Sequence, residues 1–393
     1  MIKKIRCFLV LSLCIALTTG CWDRLELNDV AFAVGTGLDL SKDGDIILTS
    51  QFKLPKRNTS GESGQNYFTA SASGKNILNV MRNSQAEISR RIFRGQRQIV
   101  FIGEDLAKKG VSHVLDAFTR DSGSKMRIDI MIVKGGTAEE VLQQKYPLEP
   151  IPIIAASKEH LAIGLEGDTA LRDFLISAST DGSSPTLETI ETIKKHSSYY
   201  IESGDVKSGF RITGSAIFNN ELKLVGFLNL DESLILNWIK QKMKRQIITI
   251  DKSDFGTFSY SGAHMKSKIQ PELIGDHIRF HLTLEGKGSI LETSTALDLL
   301  QTKNLNLVQD ILNKEMETQV LKMINKVQKR YKTDIFGFGE TIHKKYPQAW
   351  QTLKSDWERK FATAEVDVKV KLNVEQVGTT GPSLYLKKSE IQK

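Results

Sequence analysis

Apolar positions recur along this chain with two periods, close to 2 and close to 3.6 residues, and the switches between them predict the elements. Val30 to Leu40 reads as a strand, Ser41 to Asp45 (SKDGD) as its turn, and Ile46 to Leu54 as the returning strand. Arg57 to Gln65 is polar and small, a surface loop. Ser73 to Ser89 carries Ile77, Val80, Met81 and Ile88 on one helical side. Ile99 to Ile102 is a short buried strand, and Glu104 to Arg120 is a helix turning Leu106, Val111, Val114, Leu115 and Phe118 inward. Ile128 to Val133 is another strand, and Thr137 with Glu140 forms a capping box for a helix ending near Gln144. Helical stretches follow at Ile153 to Gly164 and Thr169 to Ala178, then an extended stretch from Thr186 to Ile193.

The second half opens on a hairpin, Arg211 to Phe218 returning through Leu222 to Leu228. Asp231 is placed to cap a helix through Met243, with Leu234, Ile235, Trp238 and Ile239 on its apolar side. Ile278 to Leu284 alternates as a strand. Asn304 to Tyr331 keeps one stripe from Val308 to Val327, a length that fits either a coiled coil or packing on a sheet, the latter being commoner. Asp334 to Gly339 breaks that helix, and Tyr346-Pro347 opens another carrying Trp350, Leu353, Trp357 and Phe361 as core anchors. Val366, Val368, Val370, Leu372 and Val374 alternate with charged residues in a long amphipathic strand. Interleaved helices and strands predict a mixed α/β (α+β), multi-domain chain. Residues 206–393 form a C-terminal α/β part with a further division near 255–300, and residues 21–205 an N-terminal α/β domain; the polar stretch Glu202 to Ser208 marks the boundary.

The first twenty residues follow neither period. Lys3, Lys4 and Arg6 precede an uncharged apolar run, Cys7 to Leu17. A helix of that length covers about 16 Å, half a bilayer's hydrocarbon, so the segment has the form of a signal peptide and not of a membrane span. Thr18, Thr19 and Gly20 lead into Cys21 as in a bacterial lipobox, where the cysteine thiol takes a diacylglyceryl group and the new amine can be acylated too. Thr18 stands at the usual apolar position, with Leu17 one residue further away. The competing reading is an ordinary secretory signal that leaves Cys21 free. Cys7 and Cys14 lie within the expected signal, so the mature body holds no cysteine beyond Cys21. That excludes a disulfide framework, a thiolate metal site and a cysteine nucleophile there.

Removal of residues 1–20 leaves 373 of the 393 residues, and the net charge of +8 falls to +5 with Lys3, Lys4 and Arg6 gone. This mild surplus, with no pattern of basic and stacking aromatic residues, argues against nucleic-acid binding. The basic runs Lys240 to Arg245 and Lys326 to Lys332 read as solvated helix faces, placed to meet anionic headgroups. Among the histidines only His277 and His281 approach ligand spacing, on the polar face of a strand, which favours solvation over a metal. Gly35 and Gly37 lack the third glycine and the following helix of a dinucleotide fingerprint and read as sheet glycines. No P-loop, HExxH, GxSxG or EF-hand pattern occurs; the acidic pairs Glu139-Glu140 and Asp231-Glu232 sit at helix starts, where carboxylates favour the dipole. No catalytic, cofactor-binding or metal-ligating residue is assigned.

Several stretches together resemble the Ger(x)C lipoproteins, the C subunits of nutrient germinant receptors of spore-forming Bacillus-type bacteria. They are Gly20-Cys21-Trp22-Asp23 with Glu26-Leu27-Asn28-Asp29, Ile102-Gly103-Glu104 with Leu106-Ala107-Lys108 and Gly110, and Arg120-Asp121. Gly214, Ala216 and Phe218, Leu224-Val225-Gly226, Asp334 to Gly339, Trp350, Trp357 and Phe361 continue the series in order. The resemblance implies a three-part α/β lipoprotein, not an enzyme, on the outer face of the spore inner membrane. It would be held by lipid on Cys21 and work with a partly cytoplasmic A subunit and a many-span B subunit. Only Cys21, as the lipidation site, carries over as a functional residue. Alternatives are a solute-binding lipoprotein of a transporter, which predicts a cleft between two similar lobes, and an envelope hydrolase, which needs converging carboxylates or a metal. Which nutrient is sensed, and whether this chain touches it, is not written in the sequence.

Overall fold

The computed structural model describes residues 3–6, 26–54, 66–121, 123–144, 146, 148–162, 170–193, 209–253, 255–378 and 387. The expected signal segment, Cys21, the loop at 57–65 and the boundary stretch at 202–208 lie outside them. The fold is mixed α/β, built on two sheets.

The first sheet contains β1 (Val30–Leu40), β2 (Ile46–Lys53), β3 (Tyr67–Gly74), β4 (Arg91–Phe93), β5 (Ile99–Gly103), β6 (Asp129–Val133), β7 (Thr186–Thr192), β8 (Phe210–Phe218) and β9 (Leu224–Asn229). Its order is β3-β2-β1-β5-β6-β7-β8-β9, with β4 beside the start of β1. The middle, β1-β5-β6-β7, is parallel, and antiparallel hairpins extend it at both ends. Parallel strands need crossover helices on both faces, which is why β5 is buried at every position. Val100 and Ile102 face one core, with α1 (Ile77–Glu87), α2 (Glu104–Lys109), α3 (Ser112–Arg120) and α6 (Leu171–Ser179). Ile99 and Phe101 face the other, with α4 (Ala138–Gln143) and α5 (Pro152–Ala162).

Local chemistry sets the ends of these helices. α1 starts at Ile77, capped by Asn76, and not at Ser73, because 73–74 belong to β3. The helix expected over 104–120 is two: Gly110, at φ 120°, lies outside the helical region and divides α2 from α3. The Thr137–Glu140 capping box is present, and the buried Asp39 of β1 adds acceptors for Ala138 N–H (2.8 Å) and Glu139 N–H (3.0 Å). Gly35 and Gly37 are sheet glycines that let these helices close on β1: a Cβ on Gly37 would sit 2.9 Å from Ala138 Cβ and 3.2 Å from its carbonyl carbon. Gly37→Val must therefore displace α4, and we expect urea unfolding to show a loss of about 2 kcal/mol, the usual scale for overpacking.

The second sheet, β10 (Arg245–Lys252), β11 (Gly256–Ile274), β12 (His277–Thr293) and β13 (Glu365–Gln376), is ordered β10-β11-β12-β13. A long antiparallel hairpin is followed by a parallel β12–β13 pair. Between these two strands run α8 (Thr302–Lys326), α9 (Phe338–Lys345), α10 (Pro347–Leu353) and α11 (Trp357–Thr363). The α8 stripe packs into the core of this sheet rather than into a coiled coil, through Val308, Leu312, Met316, Val320, Met323 and Ile324. Each such buried side chain contributes roughly 1.5–3 kcal/mol by leaving water. The same helix covers the free edge of β13: Gln309 Oε1, Asn313 Oδ1 and Glu317 Oε1, one turn apart, accept from Val374, Leu372 and Val370 N–H at 2.7–3.0 Å. These strand groups would otherwise stand unpaired at an edge.

α7 (Leu230–Ile239) bridges the sheets, with Leu234 against the first and Ile235, Leu236, Trp238 and Ile239 in the core of the second. Asn229, not Asp231, is its cap, with Glu232 completing a capping box, and it ends at Ile239, so residues 240–244 are not the helix face expected. The boundary expected at 205/206 falls between β7 and β8, which are neighbours in one sheet; the change of sheet comes between Asn229 and Arg245.

Candidate functional sites

The junction between the sheets is built around a carboxylate. After α8 the chain makes a π turn (Val327–Tyr331), and Lys332, left-handed at φ 53°, turns it inward. Asp334, 3 % exposed, then wraps the following backbone around its side chain. Oδ1 accepts N–H bonds from Phe336 (3.1 Å), Gly337 (3.0 Å) and Phe338 (3.2 Å), and Oδ2 accepts from Gly339 N–H (2.8 Å) and Trp357 Nε1–H (3.1 Å). Burial pushes its pKa up to about 6 against the pull of these donors, so at pH 7 it is the carboxylate they require. Burial lowers the nearby Lys240 ammonium to about 8, opposed by the fields of Asp334 and Glu340. With both oxygens committed to five donors, Asp334 has no lone pair directed at a substrate; its role is positional.

This turn is gripped by the first sheet's α6–β7 loop. Ser184 N–H donates to the Asp334 carbonyl (2.7 Å), Glu340 N–H to Gly182 O (3.3 Å), and Trp350 Nε1–H to Asp181 Oδ2 (3.5 Å). On the far side, Lys326 Nζ reaches Glu232 (2.7 Å) and Phe227 O (3.3 Å), and the Tyr331 ring lies where a Cβ on Gly226 would be.

Two more buried charged groups lie in the first sheet. His160 Nδ1 of α5 is 2.7 Å from Glu188 Oε2 of β7, both buried, and burial raises the Glu188 pKa. Arg97, 4 % exposed, places its guanidinium 4.8 Å from the Phe118 ring centroid, with Nε and Nη1 finding no hydrogen-bond acceptor. Burial and, second to it, the Arg94 charge lower its pKa to about 10, with Asp121 opposing. Above this region a groove of about 1280 Å³ opens between α1, α2 and α3. A second, of about 910 Å³, lies where the chain enters β1, lined by Leu27, Val30, Phe52, Ile88 and Ile151 among others.

His281 Nε2 stands 3.1 Å from Glu272 and Nδ1 3.3 Å from Asp367, so it links three strands on the solvated face of the second sheet. Among the described residues no group of three or more His, Cys, Asp or Glu side chains is placed to hold a metal. Glu139-Glu140 and Asp231-Glu232 stand in the first turns of α4 and α7. Cys21 lies outside the described residues. Sequence reasoning placed Asp334 only in the stretch that ends the long helix and missed its role, and it missed Arg97, the His160–Glu188 pair and the groove. Only Asp334 left a signal: an aspartate ahead of Gly337 and Gly339 is an Asx-turn pattern.

A family model described as spore germination protein N-terminal domain matches residues 23–192, and one described as spore germination B3/GerAC like, C-terminal, matches residues 213–378. Spore germination protein KC of Bacillus subtilis (strain 168) is 25 % identical over 395 residues, covering 96 % of this chain and 97 % of that protein. Spore germination protein B3 of the same organism is 26 % identical over 382 residues, covering 95 % and 97 %. The crystal structure of the GerBC protein superposes with a TM-score of 0.56 at 21 % identity, covering 90 % of this chain and 100 % of that one, a likeness of fold.

Proposed function

The chain belongs to the spore germination B3/GerAC-like family of germinant receptor subunits, and on that premise we propose that it is a lipid-anchored, non-enzymatic subunit on the outer face of the spore inner membrane. Its body docks to the integral A and B subunits and is needed for the response to small nutrients. The observation that carries this reading is where the body begins. Val30 enters β1 inside the first sheet only nine residues after Cys21, so a lipid on that thiol keeps the sheet within about 30 Å of the bilayer. Among the described residues no helix is long and apolar enough to cross a membrane. Acylation at Cys21 would supply attachment at about 0.8 kcal/mol per buried methylene, with two or three chains making it firm. Tethering raises the effective concentration of the body near integral partners. The solute-binding alternative calls for two similar lobes; the two sheets here differ in strand number and order, which weighs against it.

The test is labelling with a palmitate analogue in a Bacillus host, comparing wild type with Cys21→Ala. We expect the variant to lose the label, leave the membrane fraction and lose nutrient germination. A wild-type protein that takes no label and fractionates as soluble would overturn the anchor and return the solute-binding and hydrolase readings to the front.

A further inference from the structure

The groove between α1 and α3 has the make-up of a binding surface and not of a packing defect. On α1, Ile77 and Met81 are buried, while Leu78, 74 % exposed, and Arg82, one turn on, form a ridge along its wall. Leu106 and Val114 extend the apolar floor. The charges at its rim are unbalanced. Arg120 is paired with Asp116 and Lys223 with Glu221, Lys75 pairs outside the groove with Asp45, and Lys109 Nζ donates to Gly44 O (3.1 Å), which leaves Arg82 and Arg94, the latter beside Asp121, to set the sign of the rim. Beneath Arg94 and Asp121 the buried Arg97 guanidinium adds a further positive charge to this side of the groove, though it does not line it. An apolar floor between two helices, with a cationic rim, is complementary to an amphipathic helix that carries carboxylates beside its apolar stripe.

We propose that the α1–α3 groove docks an acidic amphipathic helix of a partner protein, its apolar stripe against Leu78, Met81 and Val114 and its carboxylates toward Arg82 and Arg94. This deepens the docking reading above and rests on it for the nature of the partner. It is independent of Cys21, so its failure would leave the labelling result untouched.

The probe is a fluorescent sixteen-residue peptide with leucines at helical spacing flanked by glutamates. Its control has lysines for the glutamates, and both are titrated by anisotropy into the detergent-solubilised full chain. We expect the acidic peptide to bind at least about tenfold more tightly than the basic one, with affinity falling as salt rises. The double variant Leu78→Asp/Arg82→Glu, both changes at exposed positions and its fold checked by circular dichroism, should weaken it at least about tenfold. Equal binding of the two peptides, or undiminished binding by the double variant, would overturn the proposal. So would a failure of the peptide to bind while phosphatidylglycerol vesicles bind the wild type and not the variant, which would assign the groove to a lipid surface.

Discussion

Asp334→Asn is expected to lower the free energy of unfolding by about 4 kcal/mol at pH 7. The amide is the same size, but it offers one acceptor oxygen where the site has donors on both sides. With its oxygen toward Phe336, Gly337 and Phe338, its NH2 faces the Gly339 N–H and the Trp357 indole N–H; flipped, it faces the other three. Two or three buried donors are then unsatisfied, at about 1–3 kcal/mol each. Urea unfolding followed by tryptophan fluorescence reads this directly, since Trp357 is one of the donors and Trp350 packs edge-on against it at 5.4 Å. A loss below about 1 kcal/mol would show that the turn does not depend on the charge.

Gly182→Val carries a penalty of similar size for a different reason. Gly182 has φ 73°, where a β-branched residue is strained, and a Cβ there would lie 2.6 Å from the Gly339 carbonyl carbon and 2.7 Å from the Trp350 ring. Two glycines in backbone contact hold the α6–β7 loop against the Asp334 turn, so neither chain can yield without breaking the Ser184–Asp334 and Glu340–Gly182 hydrogen bonds. Strain and overpacking together come to about 4 kcal/mol. Because the damage is at the contact between sheets, we expect hydrogen exchange to speed up first in residues 180–186 and 334–341, with β5 and β6 protected as before. Uniform loss of protection across the first sheet would instead place this loop within that sheet's cooperative unit.

Both predictions sit where the chain could not be read as a sequence. The stripe of α8 and the alternation of β13 were legible from period alone, because each reports which face of one element leaves water. The Thr137–Glu140 cap was legible because its partners lie within one turn. The start of α1 was not: the alternating end of β3 and the first turn of the helix share residues that fit both periods, and pairing with β2 decided for the strand. The neutral reading of 240–244 as a helix face failed similarly, since α7 stops where Ile239 has filled the second core.

What the sequence determined by itself is local and compositional: where strands and helices lie, that the chain is mixed α/β, and the ordered series of short matches that places it in its family. Tertiary structure alone decided which strands are neighbours across the 205/206 boundary, that Asp334, in the stretch that ends the long helix, is a structural centre, and that Arg97 lies buried near a cationic groove. The physical reason is distance along the chain. A periodic pattern records the burial of one face against anything apolar, whereas the partners that give Asp334 its meaning are fixed by backbone hydrogen bonds from segments as remote as Ser184. No side-chain pattern encodes those.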